Sequence, residues 1–230
     1  YHFSHIDNAV EIIKNRKIQC RNNANILGDA AGNVVHRRND AHEYARFYFR
    51  PHTPTQFYNE FLGKDMESHY WTKRCDNYGN WNDVQIFYYS KSRNLGFPKC
   101  PTPIFFKFSL KEVLRKKILD CYMGNGNMQT NNAILGKFET MIDKMFYDNL
   151  FMEFSSKNWQ EYLRFSQQEF LVKNELNFND LIDFEIVCPS EEDKQLLISL
   201  IGIENNDIFS KISTDRRFYN NENPSVKVEF

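Results

Sequence analysis

The chain has 230 residues, a net charge of −1 and 16% aromatic residues, which is enough to bury a core as one domain over residues 1–230. No apolar run approaches the roughly 20 residues that cross a bilayer, and the first residues lack a signal-peptide pattern, so we expect a cytoplasmic protein with no membrane partner. The near-zero net charge argues against a general nucleic-acid binder.

The predicted elements alternate irregularly along the chain. Tyr1 to Ile6 reads as a strand, and Asp7 or Asn8 is expected to cap a helix that follows. Residues 22–39 are rich in Asn and Gly and predict a long loop. The remaining expectations are strands at 45–49, 84–89, 104–108, 118–122, 169–172 and 184–187, and helices at 133–146 and 159–165. This order indicates an α+β domain rather than a doubly wound parallel sheet.

Two further helix starts carry capping signals. Ser109 with Glu112 precedes a basic helix, and Ser190 with Asp193 precedes a helix that Gly202 can end. No G-x-G-x-x-G or G-x-x-x-x-G-K motif is present, which excludes the familiar nucleotide cradles.

The cysteines and histidines do not suggest a metal site. The five cysteines lie far apart without a C-x-x-C pair, which fits reduced thiols better than disulfides. His2 and His5 form H-x-x-H, but this spacing in an extended segment sends the two rings to opposite faces. We therefore expect no bound metal.

Charge is unevenly distributed along the chain. Residues 91–117 are basic, and residues 175–207 are acidic. This polarity suits a protein that holds a polyanion on one side only, and it equally suits two ordinary solvated faces.

Glu169 is a lone carboxylate that leads into the apolar, β-branched run Phe170 to Val172. A buried strand there would place the carboxylate at the edge of a cleft. Burial beside a polar cleft can shift the pKa of a carboxylate to a value that suits catalysis. The alternative is a surface glutamate at a strand start, and this segment alone favours that alternative.

Three separated segments together resemble the DarT family of DNA ADP-ribosyltransferase toxins. They are Tyr1 to Asn8 (YHFSHIDN), Ala45 to Pro54 (ARFYFRPHTP) and Gln168 to Val172 (QEFLV). Asn125 to Met128 is a weaker match to the family's D-G-N-A loop. The resemblance runs over nearly the whole chain, from Tyr1 to about residue 219.

The resemblance implies an α+β ADP-ribosyltransferase fold, in which two small antiparallel sheets with flanking helices form a cleft for NAD. It implies that Glu169 is the catalytic glutamate and that Arg38 engages NAD and steadies charge during transfer, with Arg37 an open alternative for the arginine that faces NAD. The other positions that it implies as NAD contacts are His2, Ser4, Asn8, Tyr48, Phe49 and Thr53.

These residue types suit the implied reaction. Cleaving the bond between ribose and nicotinamide builds positive charge, which a carboxylate hydrogen-bonded to the ribose hydroxyls stabilises. The same carboxylate can remove the acceptor's proton, and an arginine can pair bidentately with a diphosphate. Without the resemblance, Arg38 reads as part of a solvated loop, Tyr48 and Phe49 read as core residues, and His2 reads as an ordinary strand histidine.

Departures from the family bear on the acceptor. Thymine-directed members read P-R-S-P-M where this chain has Pro51 to Thr55, and the T-P-T-Q sequence from Thr53 is similar to the guanine-directed branch. Asn125 replaces the acid of D-G-N-A, and residues 63–82 resemble an insertion. The expected acceptor is therefore guanine in single-stranded DNA, because base-modifying enzymes need an unstacked base.

Partners follow from the same resemblance. It implies the toxin of a toxin–antitoxin system, neutralised by a macrodomain-like or other ADP-ribose hydrolase. The alternatives are transfer to thymine, RNA or protein, and a silent module that only binds nucleic acid.

Overall fold

The computed structural model describes residues 1–25, 38–56, 103–128, 130–153, 159–179 and 181–219, together with the backbone of 71–75 and 81–85. The strands are β1 (His2–His5), β2 (Lys17–Gln19), β3 (Tyr44–Tyr48), β4 (Trp71–Cys75), β5 (Trp81–Gln85), β6 (Pro103–Phe108), β7 (Cys121–Gly124), β8 (Leu135–Lys137), β9 (Glu169–Lys173), β10 (Glu175–Asn177), β11 (Phe184–Cys188) and β12 (Ile212–Thr214). The α-helices are α1 (Ile6–Asn15), α2 (Leu110–Lys117), α3 (Phe138–Met141), α4 (Trp159–Phe165) and α5 (Glu191–Ile201). The 3₁₀ segments are Asn39–Glu43, Ile118–Asp120, Ile142–Lys144, Tyr147–Asn149, Ile203–Lys211 and Arg216–Phe218.

In this part of the chain, two four-stranded sheets carry the fold. One has the order β1-β6-β11-β12 and the other β3-β9-β7-β8, with the pairs β2–β10 and β4–β5 beside them. The mixture of small sheets and helices confirms the expected α+β class. The expectation of antiparallel sheets needs one correction, because β12 runs parallel to β11. The chain between them passes through α5 and the 3₁₀ segment Ile203–Lys211, and such a crossover returns a strand in the same direction.

The main core draws on both sheets. Phe106 and Ile186 come from the first sheet, Phe47 and Phe170 from the second, and Ile13 from α1, and all are buried. Burial of each such side chain contributes roughly 2 kcal/mol. Because strand side chains alternate, the neighbours of Phe47 and Phe170 point to the opposite face of the second sheet.

The 133–146 helix prediction is wrong. This segment forms β8, then the four-residue α3, then the 3₁₀ segment Ile142–Lys144. β8 pairs with β7 from Leu135 to Lys137, so sheet pairing overrides the helical spacing of the apolar residues. The 118–122 strand likewise begins only at Cys121, after a 3₁₀ turn.

The helix caps were predicted with mixed success. The Ser190 side chain accepts a hydrogen bond from Asp193 N (3.1 Å), and α5 ends at Gly202, as expected. α1 begins at Ile6, so Asp7 and Asn8 lie inside the helix instead of capping it. Ser109 makes no side-chain cap, and the Glu112 carboxylate instead accepts from Ile182 N and Asp183 N, both at 2.9 Å.

Among the helices described, none is long and apolar enough to cross a membrane. In the same ranges, no cluster of three or more His, Cys, Asp or Glu side chains is arranged to hold a metal ion.

Candidate active site

Glu169 opens β9 and is completely buried. It lies opposite Tyr48 of β3 on one side and opposite Gly124 of β7 on the other. A strand in the middle of a sheet fixes the backbone on both flanks, so the direction of this side chain is set by the sheet and not by a loop. The strand predicted at 169–172 is therefore present as β9, and Glu169 is not a surface residue.

Arg46 of β3 binds both oxygens of this carboxylate. Its Nε donates to Glu169 Oε2 and its Nη2 donates to Oε1, each at 2.6 Å. Such paired charge-assisted bonds are among the strongest in proteins. Burial lowers the pKa of the Arg46 guanidinium, but the charge and hydrogen bonds of Glu169 outweigh it and raise that pKa. The arginine keeps a fifth of its side chain exposed (21%), whereas Glu169 keeps none.

Sequence reasoning missed Arg46. A usable signal was present, because a charged residue stands between Ala45 and Phe47, which the structure buries in the core. Strand alternation puts Arg46 and Tyr48 on one face, which is the face of Glu169.

The loop after β7 supplies a third donor. Met128 N donates to Glu169 Oε1 (3.0 Å), and Met128 is fully buried. Asn125 closes this loop, since its Oδ1 accepts from Ile134 N at 2.9 Å. The Asn that replaces the family's acid therefore fixes the backbone that reaches the glutamate.

Arg38 holds the other end of the same loop. Its Nη1 donates to the carbonyls of Thr130 (3.0 Å) and Ala133 (2.9 Å), and its Nε and Nη2 donate to the Asp40 carboxylate (2.9 and 2.6 Å). Its hydrogen bonds with Asp40 raise the pKa of Arg38, whereas burial and the charge of Arg46 lower it. Arg37 lies outside the described residues, as does most of the predicted 22–39 loop.

Tyr48 stands beside the carboxylate. Burial, and then the charge of Glu169, raise the pKa of its hydroxyl to about 12, opposed in part by a hydrogen bond with Thr55. Its ring stacks on Phe3 of β1, with ring centroids 5.6 Å apart. This contact joins the two sheets at the site.

The segment from Pro51 to Gln56 is held in a fixed shape. His52 adopts a left-handed backbone with φ 63°, and its carbonyl accepts from the Tyr162 hydroxyl at 2.8 Å. Thr55 Oγ1 donates to Gln167 Oε1 (2.5 Å). Thr53 is buried and its hydroxyl accepts from Gln56 N (3.2 Å), so it caps the turn, and Thr55 is the threonine that reaches Tyr48.

The remaining predicted contacts are spread out. The His2 ring donates from Nδ1 to the Arg46 carbonyl (3.0 Å) and packs on Phe47, and burial lowers its pKa to about 4. Ser4 lies in the other sheet from Glu169, and Asn8 lies in the first turn of α1. Phe49 packs against the main core.

A cavity among the described residues lies on the core side of the second sheet. It measures about 90 Å³, and Phe47, Phe49 and Phe170 are part of its lining. That is room for roughly three water molecules, far less than a dinucleotide needs. Glu169 does not line it.

The site thus unites a buried carboxylate, two guanidinium groups and an aromatic hydroxyl. The carboxylate can accept hydrogen bonds from sugar hydroxyls and stabilise positive charge, and the guanidinium groups can pair with phosphate oxygens. This combination fits a nicotinamide dinucleotide better than it fits a metal or a thiol chemistry. The Glu169 carboxylate itself reaches no solvent, whereas the Arg46 side chain bonded to both of its oxygens is a fifth exposed.

Comparison with known proteins finds a matching family model and solved structures of similar fold. The family model of DarT, described as an ssDNA thymidine ADP-ribosyltransferase, matches residues 1–71 and 79–219. A solved structure of Thermus sp. 2.9 DarT in complex with ADP-ribosylated ssDNA aligns with a TM-score of 0.63 at 16% identity, covering 95% of this chain and 94% of that one. The same protein in complex with NAD+ aligns with a TM-score of 0.60 at 14% identity, covering 95% of both chains. Thermosipho africanus DarTG in complex with ADP-ribose aligns with a TM-score of 0.61 at 15% identity, covering 95% of this chain and 50% of that one. None of the curated proteins matches this chain in sequence.

Proposed function

Because the chain belongs to the DarT family of ADP-ribosyltransferases, we propose that it transfers ADP-ribose from NAD to a nucleobase, guanine, in single-stranded DNA. The observation that carries this proposal is the buried Glu169 carboxylate, held by Arg46 and facing Tyr48. Its sequence neighbourhood and its place in the sheet both fit a catalytic glutamate. The solved Thermus relative was captured with NAD+ and with ADP-ribosylated DNA.

Glu169 has two tasks in this proposal. It accepts hydrogen bonds from the hydroxyls of the nicotinamide ribose and so stabilises the positive charge that develops there. The bond from ribose C1′ to the nicotinamide nitrogen breaks, its electron pair leaves with nicotinamide, and a nitrogen lone pair of the acceptor base forms the new bond to C1′. The acceptor nitrogen's proton then passes to the Glu169 carboxylate.

Arg38 is proposed to meet the diphosphate of NAD. It already presents a bidentate pair of N–H groups to Asp40, whose side chain is about half exposed (54%). A diphosphate offers the same oxygen geometry with more charge and can compete with this carboxylate. The two Arg38 bonds to the Thr130 and Ala133 carbonyls can persist meanwhile and keep the loop at Met128 in place. The remaining residues proposed to shape or support the NAD site are His2, Ser4, Asn8, Tyr48, Phe49 and Thr53.

The basic segment is proposed as part of the DNA path. α2 presents exposed Lys111, Arg115 and Lys116. Lys91, Arg93 and Lys99 lie outside the described residues. Elsewhere the charge polarity of the sequence is partly cancelled, because β6 and β11 are neighbours and Lys107 pairs with Glu185 at 3.1 Å. The DNA path is therefore placed at α2 and not along the whole basic stretch.

The acceptor base and the biological role are part of the proposal. The T-P-T-Q sequence from Thr53 supports guanine, whereas the description of the matched family model names thymidine. A toxin neutralised by an ADP-ribose hydrolase is supported by the resemblance and by the likeness to DarTG, a relative solved with ADP-ribose.

The test is incubation of the purified protein with NAD and four synthetic oligonucleotides that differ in the single base offered. We expect nicotinamide release and the mass increase of one ADP-ribosyl group on the guanine oligonucleotide. Glu169→Gln should abolish both, whereas the control Glu175→Gln, at a half-exposed glutamate paired with Lys17, should leave both intact. Modification of the thymine oligonucleotide alone would overturn the guanine assignment.

Pools of RNA and protein, treated in the same way, test the alternative acceptors. Transfer to RNA or protein without transfer to DNA would contradict the proposed substrate. An absence of nicotinamide release with every acceptor would leave only the silent binding module.

A further inference from the structure

We propose that Arg46 is a positioning residue for the catalytic carboxylate, with Glu169 Oε1 as the fixed oxygen and Oε2 as the oxygen that works on the substrate. The inference rests on the proposed function and adds to it a residue and an assignment of atoms.

The two carboxylate oxygens have different surroundings. Oε1 accepts two hydrogen bonds, from Arg46 Nη2 at 2.6 Å and from Met128 N at 3.0 Å. Among the residues that the structure describes, Oε2 accepts one, from Arg46 Nε at 2.6 Å. A carboxylate oxygen has room for two such bonds, so Oε2 keeps a free acceptor position whereas Oε1 is saturated.

The two donors to Oε1 differ in their freedom to move. Met128 N belongs to a loop whose ends are tied by Asn125 and Arg38, which limits its movement. Arg46 has a long side chain with a fifth of its surface exposed. Its guanidinium can turn so that the bond from Nη2 to Oε1 is kept while the bond from Nε to Oε2 is broken. A ribose hydroxyl arriving at Oε2 can therefore take the free acceptor position, or replace the Nε bond, while Oε1 stays held by two.

The backbone of Arg46 is fixed by its own contacts. Its carbonyl accepts from His2 Nδ1 at 3.0 Å, and its strand pairs with β9 along its full length. The guanidinium thus stands on a fixed backbone, and its loss would leave a buried carboxylate without its main partner. Lys at this position restores the charge but not the pair of parallel N–H donors.

The role predicts a loss of turnover and not of NAD binding. Arg46→Ala should lower kcat by about 100-fold with KM for NAD changed by less than about threefold, because a misdirected catalytic group costs that much. Arg46→Lys should lower kcat by about tenfold. Added guanidinium ion at millimolar concentration should restore kcat of Arg46→Ala by about tenfold and should not restore Glu169→Gln.

The matched control is Arg16→Lys, since Arg16 is about as buried (16% exposed) and pairs with Asp207 at 2.7 Å away from the site. Arg16→Lys should leave kcat unchanged. A wild-type kcat in Arg46→Lys would overturn the inference, and so would a loss in Arg46→Ala that lies wholly in KM. Should Arg46→Ala fail to fold, the Lys variant still decides. Inactive wild-type protein would overturn the proposed function itself, which separates the two failures.

Discussion

Tyr48 and Glu169 face each other across two paired strands, and the carboxylate's charge adds to the burial that raises the pKa of the tyrosine hydroxyl to about 12. The pair is formed by residues 121 positions apart (169 − 48) and lies on the face of the sheet opposite Phe47 and Phe170. At neutral pH the hydroxyl is therefore a neutral group beside the carboxylate.

Tyr48→Phe should remove one late-titrating tyrosine. Absorbance titration of tyrosinate should show that the wild type ionises one more tyrosine above about pH 11 than the variant does, because that hydroxyl stays protonated to about 12. The free energy of unfolding should fall by about 1 kcal/mol through loss of the hydrogen bond with Thr55. Identical titration curves would show that Tyr48 is not the shifted group.

Gly124→Ala should disturb the glutamate through Met128. A Cβ at Gly124 would collide with the Met128 sulfur, and Met128 is fully buried. We expect a loss of about 1–3 kcal/mol in the free energy of unfolding from overpacking. Transfer should fall by about tenfold, because the Met128 N–H to Glu169 shifts. The control is Gly126→Ala. A Cβ added at Gly126 would lie 3.3 Å from its nearest neighbour, the Arg164 carbonyl oxygen. Full activity in a stable Gly124→Ala would show that this N–H is dispensable.

Asp40→Asn should improve NAD binding if the diphosphate competes for Arg38. The variant weakens the bidentate pair of 2.9 and 2.6 Å, so KM for NAD should fall by about threefold with kcat unchanged. Asp215→Asn is the matched control, because Asp215 holds Arg217 at the same two-residue separation. A rise in KM for Asp40→Asn would mean that Asp40 orients Arg38 for NAD instead of competing with it.

The stability of the protein should fall as the pH drops below 6.5, in part because of His2. Burial lowers the His2 pKa from 6.5 to about 4. Between these two pH values the unfolded chain binds a proton at His2 and the folded protein does not. His2 therefore contributes stability that is complete above pH 6.5 and is lost as the pH falls through about 4. Between pH 7 and 5 this amounts to about 1–2 kcal/mol.

His2→Gln keeps a donor for the Arg46 carbonyl without titrating, so urea unfolding at pH 7 and pH 5 should show a smaller decline than in the wild type. An equal decline in both proteins would assign the pH dependence to other groups.

Local patterns predicted most of the elements near the site. The apolar run from Phe170 to Val172 and the aromatic run around Phe47 indicate strands, and the structure has strands there. The helix at 133–146 was mispredicted because β7 supplies a hydrogen-bonding partner that a local window does not contain. The Ser109 cap was mispredicted because Glu112 has a tertiary partner at residues 182 and 183.

The sequence by itself determined the α+β class, the family and the choice of Glu169, because each is written in residue identities along one segment or in the order of a few segments. Only the tertiary structure decided that Arg46 is the partner of Glu169, that Met128 supplies a backbone donor, and that Arg38 holds the loop between them. These contacts join residues 41 to 123 positions apart. Their formation depends on which strands pair and in what register, and a shift of one residue would turn Arg46 away from the carboxylate.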